Sequence, residues 1–293
     1  MSERETAGVT GLQMEKYKTL CDILRGFGHV AVAFSGGVDS TFLLAAAAEA
    51  LGEQVLAVTV HSPLVPKRER REAEAFCRER GIRHAVQELD VFAVPGFAEN
   101  PPDRCYRCKR RIFEGMIRLA EDMGISVVAE GSNLDDASDY RPGMRAVAEL
   151  SVRSPLMDAQ MTKADIRALS SMLGLGTADK PSFACLASRF VHHETITAEK
   201  LRMVELAEEL LRELGFVQMR VRVHGTLARI EVPAEDIAGL AEPACRERID
   251  VCFRELGFSY VALDLTGYRT GSMNPKIGKD GEFGQTKEAG GIG

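Results

Sequence analysis

A glycine turn that follows an apolar segment and precedes a helical one could bind phosphate. The stretch reads Phe34-Ser35-Gly36-Gly37-Val38-Asp39-Ser40-Thr41. It follows the apolar run Val30–Ala33 and leads into the alanine-rich run Phe42–Ala48. Glycines let the backbone approach a ligand closely, and the unpaired amides and dipole of a helix start favour an anion. Because hydroxyl side chains add further donors, the stretch predicts a phosphate-binding loop.

The loop lacks the signatures of two common nucleotide-binding motifs. It has no lysine with which a Walker loop reaches the β- and γ-phosphates, and it lacks the Gly-x-Gly-x-x-Gly spacing of dinucleotide-binding folds. It resembles the Ser-Gly-Gly-x-Asp-Ser loop of the PP-loop ATP pyrophosphatases. That resemblance implies that a substrate oxygen attacks the α-phosphorus of ATP, so that an adenylated intermediate forms and pyrophosphate leaves. It also implies that Asp39 lies beside Mg²⁺ or the phosphates.

Cysteines form the second group that could do chemistry. Of the seven in the chain, Cys105, Cys108 and Cys185 lie outside the apolar helical patterns that hold the other four. Cys105 and Cys108 form a C-x-x-C pair at a predicted helix start. There the helix dipole and the basic residues of 104–110 are expected to lower the pKa of both thiols. Such thiolates suit a metal ion, an iron–sulfur cluster or a redox disulfide.

The sequence leaves open what the three cysteines would hold if they meet. Three thiolates can hold three corners of a [4Fe-4S] cluster, which leaves the fourth iron for a ligand such as sulfide. Zinc is an alternative, with His192 or His193 completing a Cys3His site. A disulfide and plain structural thiols remain open as well.

Arginines form the third group. Arg220 and Arg222 lie two apart in an alternating segment, so they share one face of a strand, and Arg229 and Glu231 lie on the polar face of the next strand. Arginine pairs at this spacing suit a phosphate or a carboxylate. The alternative is a solvated sheet face that Glu231 balances. Arg269, in the following loop, is a candidate third cation.

The elements that must position these residues alternate between strands and helices. Predicted strands cover 29–34, 54–60, 83–89 and 126–129, and predicted helices cover 11–26, a segment ending at 51, 67–80, 104–123 and a segment ending near 173. Thr162 and Asp165 predict a capping box for the last of these helices. This order predicts an α/β fold with a doubly wound parallel sheet, of the PP-loop (adenine nucleotide alpha hydrolase-like) type by resemblance. Glu130–Asn133 would lie at the ligand-binding edge, and the acids of 135–139 are interpreted as a solvated loop or as contacts to magnesium or substrate.

The pattern changes after Arg189, and the predicted domain boundary lies near residue 193. A helix over 198–214, strands over 217–223 and 227–232, a helical stretch over 234–256 and a strand over 258–265 predict a smaller α+β unit. The predicted domains are therefore 1–192 and 193–274. Residues 275–293 are rich in glycine and lysine with almost nothing to bury, so they are predicted to be a disordered tail.

Composition narrows the classes of function. The net charge of −6, with lysine and arginine spread along 293 residues, argues against a protein that tracks a nucleic-acid backbone. The charged start, 1–5, predicts no signal peptide, and the longest apolar run is far shorter than the ~20 residues that span a bilayer. We therefore expect a soluble, cytoplasmic protein with reduced thiols and no membrane partner.

Seven stretches together resemble motifs of the LarE family of ATP-dependent sulfur transferases, the pyridinium-3,5-biscarboxylate mononucleotide sulfurtransferases. They are Ser35–Ser40, Glu130–Asn133, Asp139–Gly143, Lys180–Arg189, Arg220–Arg222, Arg229–Val232 and Asp264–Asn274. The resemblance implies a role in making the nickel-pincer nucleotide cofactor of lactate racemase. The family adenylates a carboxylate of a pyridinium mononucleotide and then replaces AMP with sulfur.

The resemblance also implies roles for single residues. It implies that Asp39 and Cys185 are catalytic and that the nucleotide is bound by Ser35, Gly36, Gly37, Asp39 and Ser40. It implies that the substrate phosphate is bound by Ser188, Arg189, Arg220, Arg222 and Arg269. It also implies that a [4Fe-4S] cluster is held by Cys105, Cys108 and Cys185.

The family uses two sources of sulfur. Members with one cysteine, matching Cys185, give up its sulfur and keep dehydroalanine. Members with the C-x-x-C use sulfide on a cluster and turn over repeatedly, and this chain resembles those. The resemblance also implies a hexamer.

Three other classes of function remain in view. A PP-loop tRNA thiolase also combines such a loop with cysteines, but the acidic charge argues against it. An amide-forming PP-loop ligase would use ammonia and would not need the three cysteines. A nucleotide-binding iron–sulfur sensor would release no pyrophosphate with any carboxylate.

Overall fold

The structure is a computed structural model, and it describes residues 9–138, 142–181 and 184–269. The described residues form two compact units. The first contains residues up to Ala187 together with His192–Glu205, and the second contains Ser188–Val191 together with residues from Leu206. Several predicted features lie outside the described residues, namely Asp139–Arg141, Ser182–Phe183, the end of the last motif from Thr270 and the tail 275–293.

The first unit alternates strands and helices along the chain. Its strands are β1 (Val30–Ala33), β2 (Val55–His61), β3 (Arg83–Glu88) and β4 (Val128–Ala129). Its helices are α1 (Gly11–Phe27), α2 (Val38–Leu51), α3 (Lys67–Glu79), α4 (Arg104–Asp122), α5 (Pro142–Glu149), α6 (Pro155–Asp158) and α7 (Lys163–Met172). The division between the units falls within the next helix, α8 (Ala198–Glu213).

The four strands pair in parallel in the order β3-β2-β1-β4, with Val30 beside Val55 and Ala31 beside Val128. Alternate residues of β1 and β2 face opposite sides of the sheet. Val30 and Val55 join the core formed with α1, α2 and α7, whereas Ala31 joins the core formed with α4 and α5. Helices therefore cover both faces, and the prediction of a doubly wound α/β fold is confirmed.

Local signals predicted most of the helix ends. The capping box is present, since Thr162 Oγ1 accepts from the Asp165 amide and the Asp165 carboxylate accepts from the Thr162 amide. The predicted end of α1 at Gly26 is wrong, because the helix continues to Phe27 and Gly28 adopts a φ of +71° beyond it. The helices α5 and α6 were not predicted.

The second unit has a small mixed sheet. Its strands are β5 (Arg220–His224), β6 (Leu227–Glu231) and β7 (Tyr260–Leu263), and its further helices are α9 (Ile237–Ala241) and α10 (Pro243–Glu255). β5 and β6 are antiparallel, whereas β6 and β7 are parallel. The smaller α+β region is thus confirmed. The predicted helix over 234–256 is interrupted at Glu242, because Pro243 has no amide to continue the hydrogen bonds.

None of the described helices has both the length and the apolar composition needed to cross a bilayer.

Candidate active site

The predicted phosphate loop is a turn between β1 and α2. Gly36 adopts a φ of +70°, which favours glycine, and Gly37 caps α2 without a side-chain hydrogen bond. Ser35 Oγ lies 3.0 Å from Ser40 Oγ, and Ser40 Oγ donates to the Gly37 carbonyl at 3.2 Å. The first amides of α2 thus stand at the end of a buried strand, as an anion site requires.

The end of β4 packs against this turn. A Cβ on Gly131 would lie 3.1 Å from the Ser40 amide nitrogen and 3.3 Å from Asp39 Cβ. A side chain there would displace the loop, so glycine allows the two strand ends to approach. The buried Glu130 carboxylate accepts hydrogen bonds from Ser132 Oγ at 2.8 Å and Ser154 Oγ at 2.7 Å. These bonds hold the Glu130–Asn133 segment in place beside the loop.

Asp39, in the first turn of α2, has an ammonium partner that the sequence did not predict. Its Oδ2 lies 2.5 Å from Lys163 Nζ, and its Oδ1 accepts from Asn133 Nδ2 at 3.4 Å. Burial raises the pKa of Asp39 above its ordinary value, although Lys163 opposes that effect. Lys163 is the first residue of α7, and its amide donates to Asp135 Oδ2 at 2.8 Å. The Asp135 side chain is thus a helix contact.

A second lysine reaches the loop itself. Lys180 Nζ donates to the Gly36 carbonyl and to Glu72 Oε2, both at 2.9 Å. The loop sequence has no lysine, but the fold brings two to it from distant parts of the chain. A carboxylate, two ammonium groups and helix amides together can bind a magnesium-bound polyphosphate.

The structure brings the three predicted cysteines into one neighbourhood. Cys108 is buried in α4, whereas Cys105 and Cys185 are exposed. The charges of Cys185 and Cys105 act on Cys108, and after burial itself they are the main reasons why its pKa rises to about 12. Across residues 9–138, 142–181 and 184–269, no three His, Cys, Asp or Glu side chains are arranged to hold one metal ion.

The prediction of a lowered thiol pKa is wrong for Cys108. Burial outweighs the neighbouring cations, of which only Arg104 acts to lower its pKa. The others have carboxylate partners, since Arg107 Nε lies 2.9 Å from Asp103 and Arg110 Nε lies 3.0 Å from Glu114. Paired, exposed cations do little for a buried thiol.

The second unit gathers buried arginines. Arg189 forms two bonds to Glu208, Nε to Oε1 and Nη2 to Oε2, each at 2.8 Å. Arg222 Nε and Nη2 donate to Glu231 Oε2 at 2.9 and 2.8 Å, and its Nη1 donates to the Ser188 carbonyl at 3.0 Å. Both pairs are buried, so the alternative of a solvated sheet face is wrong although Glu231 is the partner as expected.

Arg220 lies on the same face of β5 as Arg222. Its guanidinium lies over the Tyr268 ring at 5.1 Å from the centroid, and Nη1 donates to the Met219 carbonyl at 2.6 Å. Burial, followed by the charge of Arg189, lowers the pKa of Arg220 to about 10. The strand predicted over 217–223 begins only at Arg220. Val217 lies before the strand and is 63% exposed.

A glycine turn positions that tyrosine. Thr266 donates from its amide and its hydroxyl to Asp264 Oδ1, at 2.9 and 2.5 Å. Gly267 adopts a φ of +68°, and a Cβ there would lie 2.7 Å from the Val232 carbonyl oxygen. The Tyr268 amide then donates to the same carbonyl at 2.8 Å. This turn explains the Asp264–Tyr268 part of the last motif.

Comparison with known proteins agrees with this geometry. Residues 12–138 match the PP-loop domain family. An uncharacterized protein of Synechocystis is 41% identical over 264 residues, which are 90% of this chain and 98% of that protein. The pyridinium-3,5-bisthiocarboxylic acid mononucleotide synthase of Lactiplantibacillus plantarum is 37% identical over 265 residues, 90% of this chain and 95% of that protein.

The chain belongs to the LarE family. It is therefore an enzyme that couples ATP to sulfur transfer, as the sequence predicted. A more distant relative, the tRNA-specific 2-thiouridylase MnmA of Xanthobacter autotrophicus, is 30% identical over 193 residues, 52% of this chain and 49% of that protein. The similarity to LarE thus covers nearly the whole chain, whereas the similarity to the thiouridylase covers half.

Replacing Lys163 with methionine in this LarE protein is expected to slow ATP-dependent pyrophosphate release. A charge-assisted hydrogen bond contributes ~1.5–3 kcal/mol, so we expect a loss of about 10- to 100-fold. The measurement is a coupled pyrophosphate assay at varied ATP. Lys200→Met is a matched control, because Lys200 is 30% exposed against 28% for Lys163 and is paired with Glu194. If Lys163→Met released pyrophosphate as fast as Lys200→Met, Lys163 would have no role in binding the phosphates of ATP.

Gly267→Ala is expected to destabilise the turn beneath Tyr268. A non-glycine residue at positive φ costs about 1–2 kcal/mol, and the clash with the Val232 carbonyl adds roughly 1–3 kcal/mol. Gly225→Ala is the control, since Gly225 has a φ of +61° with no atom within 4 Å of a built Cβ. Thermal unfolding should show the larger loss for Gly267→Ala, and equal losses would mean that the close contact does not matter.

Proposed function

We propose that this LarE protein activates a carboxylate of pyridinium-3,5-biscarboxylic acid mononucleotide with ATP and converts it to a thiocarboxylate. The step belongs to biosynthesis of the nickel-pincer nucleotide of lactate racemase. The support is an ATP-binding PP-loop and three neighbouring cysteines in one unit, in a chain that is 37% identical to a synthase named for the corresponding bisthiocarboxylic product.

The chemistry proceeds in two displacements. A substrate carboxylate oxygen attacks the α-phosphorus of ATP, the bond to the β,γ-phosphates breaks, and pyrophosphate leaves. A sulfur nucleophile then attacks the acyl carbon, and AMP departs with the electrons of the carbon–oxygen bond. The first step is needed because a carboxylate oxygen is a poor leaving group. We assign Asp39 to magnesium, and Lys163 and Lys180 to the negative charge of the phosphates.

The sulfur step would depend on Cys105, Cys108 and Cys185. These three side chains suit a cationic group. Cys105 and Cys185 each act to raise the pKa of buried Cys108, and a bound cation would relieve the repulsion between the three thiolates. We propose that the three thiolates hold a [4Fe-4S] cluster. Such a cluster would supply a sulfide on the iron that the chain does not ligate. The alternative is sacrificial transfer, in which the Cys185 sulfur itself leaves and dehydroalanine remains.

The buried arginines of the second unit are proposed to bind the substrate phosphate. Around β5 and β6, the cations outnumber the carboxylates. The cations are Arg189, Arg220, Arg222, Arg229 and Arg269, and the carboxylates are Glu208, Glu231 and Asp264. The excess positive charge favours a dianion, and Ser188 can add a hydroxyl donor.

By family resemblance we propose that the protein is cytoplasmic and forms a homo-oligomer, a hexamer. Light scattering would measure the mass of this assembly.

A second candidate function is tRNA thiolation, favoured by the half-length similarity to the thiouridylase.

One assay separates the two candidate functions. The protein is incubated with Mg-ATP and either the pyridinium biscarboxylate nucleotide or bulk tRNA, and pyrophosphate is measured. We expect pyrophosphate release with the pyridinium biscarboxylate nucleotide and not with tRNA. Nicotinic acid mononucleotide, which has one carboxylate, is the control for substrate recognition. Release that depends on tRNA alone would overturn the proposal.

A further inference from the structure

A buried arginine connects the two segments that carry the cysteines. Arg104 is the first residue of α4, and it is 7% exposed. Its Nη1 donates to the Ala187 carbonyl at 2.8 Å and to Asn100 Oδ1, and its Nη2 lies 3.5 Å from Cys105 Sγ. Ala187 follows Cys185 by two residues and is 83 residues from Arg104. One planar guanidinium therefore joins the Cys185 segment to the C-x-x-C helix.

The charge of this arginine is unusual in its surroundings. Its hydrogen-bond partners in the described part of the chain are a carbonyl, an amide and a thiol, and it forms no ion pair there with Asp or Glu. A buried cation without a counter-ion is costly. This positive charge lies beside sulfur, since Arg104 Nη2 is 3.5 Å from Cys105 Sγ.

We propose that Arg104 is a positioning residue that holds Cys185 beside Cys105 and Cys108 and places a fixed positive charge next to the Cys105 sulfur. This inference rests on the proposed function for its effect on sulfur transfer, but not for its effect on the thiols. The role in spacing needs arginine. Lysine keeps the charge, but it cannot donate from two nitrogens of a rigid fork to Ala187 and Cys105 at once.

The role in spacing can be tested on the full chain without substrate. A short bifunctional thiol reagent, dibromobimane, is applied to the protein, and peptide mass spectrometry measures the Cys105–Cys185 cross-link. We expect the wild type to cross-link, and Arg104→Met to lose the product by about tenfold or more, since both guanidinium bonds are gone. Arg107→Met is the matched control on the same helix, because Arg107 pairs with Asp103 and is 41% exposed.

The role in charge has a separate readout. The rate at which Cys105 reacts is measured, again by peptide, with an anionic aromatic disulfide and with a neutral pyridyl disulfide. A nearby cation raises the ratio of the anionic rate to the neutral rate, so Arg104→Met should lower that ratio several-fold while Arg104→Lys retains it. A purely structural role would change both rates together. If Arg104→Met unfolds, Arg104→Lys alone still tests the proposal, because it should keep the ratio and lose the cross-link.

Catalysis completes the test. Arg104→Met should release pyrophosphate within about twofold of the wild type and form thiocarboxylate at least about 100-fold more slowly. If the wild type makes no thiocarboxylate but the cross-link and the rate ratio behave as expected, the proposed function fails and the role of Arg104 stands. The role would be overturned if Arg104→Met cross-linked Cys105 to Cys185 as efficiently as the wild type does and showed the same ratio of anionic to neutral reaction rates.

Discussion

Replacing Cys185 with alanine is expected to abolish formation of the thiocarboxylate while ATP-dependent pyrophosphate release continues at the wild-type rate. The PP-loop, which we propose activates the carboxylate, is a turn between β1 and α2, and its hydrogen bonds to Lys163 and Lys180 do not involve Cys185. Removing the thiol therefore takes away the sulfur step alone. The measurement pairs a pyrophosphate assay with mass spectrometry of the nucleotide product, on the same sample.

Two further variants make this result specific. Cys252→Ala is the control, because Cys252 is half-buried in α10 and the proposed chemistry does not use it. Alanine at both Cys105 and Cys108 separates the two sulfur sources. If a cluster is needed, that double variant behaves like Cys185→Ala. If Cys185 is sacrificial, the double variant still makes one product per chain. Unchanged thiocarboxylate formation by Cys185→Ala would exclude both sources and contradict the assignment of Cys185 to the sulfur step.

Asp39→Asn is expected to remove the first step. The substitution keeps the size of the side chain but removes the charge that faces Lys163 and the proposed magnesium ion. Loss of such a group typically lowers a phosphoryl or adenylyl transfer rate by roughly 10²–10³-fold or more. Pyrophosphate release and thiocarboxylate formation should fall together, because the second step consumes the product of the first.

Asp165→Asn is the matched control for Asp39→Asn. Asp165 also pairs with a lysine, since its Oδ2 lies 2.6 Å from Lys16 Nζ, but it caps α7 and does not touch the loop. Hydrogen bonds from Lys16 and Thr162 outweigh burial and lower the pKa of Asp165 to about 2. We expect this control to reduce stability and to leave the pyrophosphate rate of the folded protein unchanged. If both variants retained that rate, Asp39 would not be catalytic.

The sequence predicted the fold well where the signal is local. The apolar run of β2 and the capping box of Thr162 and Asp165 depend on residues close together in the chain, and both are confirmed. The helix α5 was not predicted, because proline and glycine, with which it begins, disfavour the interior of a helix. Proline at the first position of a helix loses no hydrogen bond, so the same residues can also begin one.

The parts of the site that were missed depend on residues far apart in the chain. Lys163 and Asp39 are separated by 124 residues, and Lys180 and Gly36 by 144. No periodicity or spacing encodes such a contact. The raised pKa of Cys108 was also missed because it depends on burial by the fold. A helix start surrounded by basic residues predicts a reactive thiol only if the thiol is exposed. The assigned roles of the loop, cysteine and arginine residues stay predictions.

The most direct test of the central claim is the mass of the nucleotide product. The protein, reconstituted anaerobically with iron and sulfide, is supplied with Mg-ATP and pyridinium-3,5-biscarboxylic acid mononucleotide, and the product is counted per chain. We predict pyrophosphate together with a product in which one carboxylate oxygen is replaced by sulfur, at more than one per chain and with Cys185 intact. Pyrophosphate release without any sulfur-containing product, or no release at all, would contradict the claim.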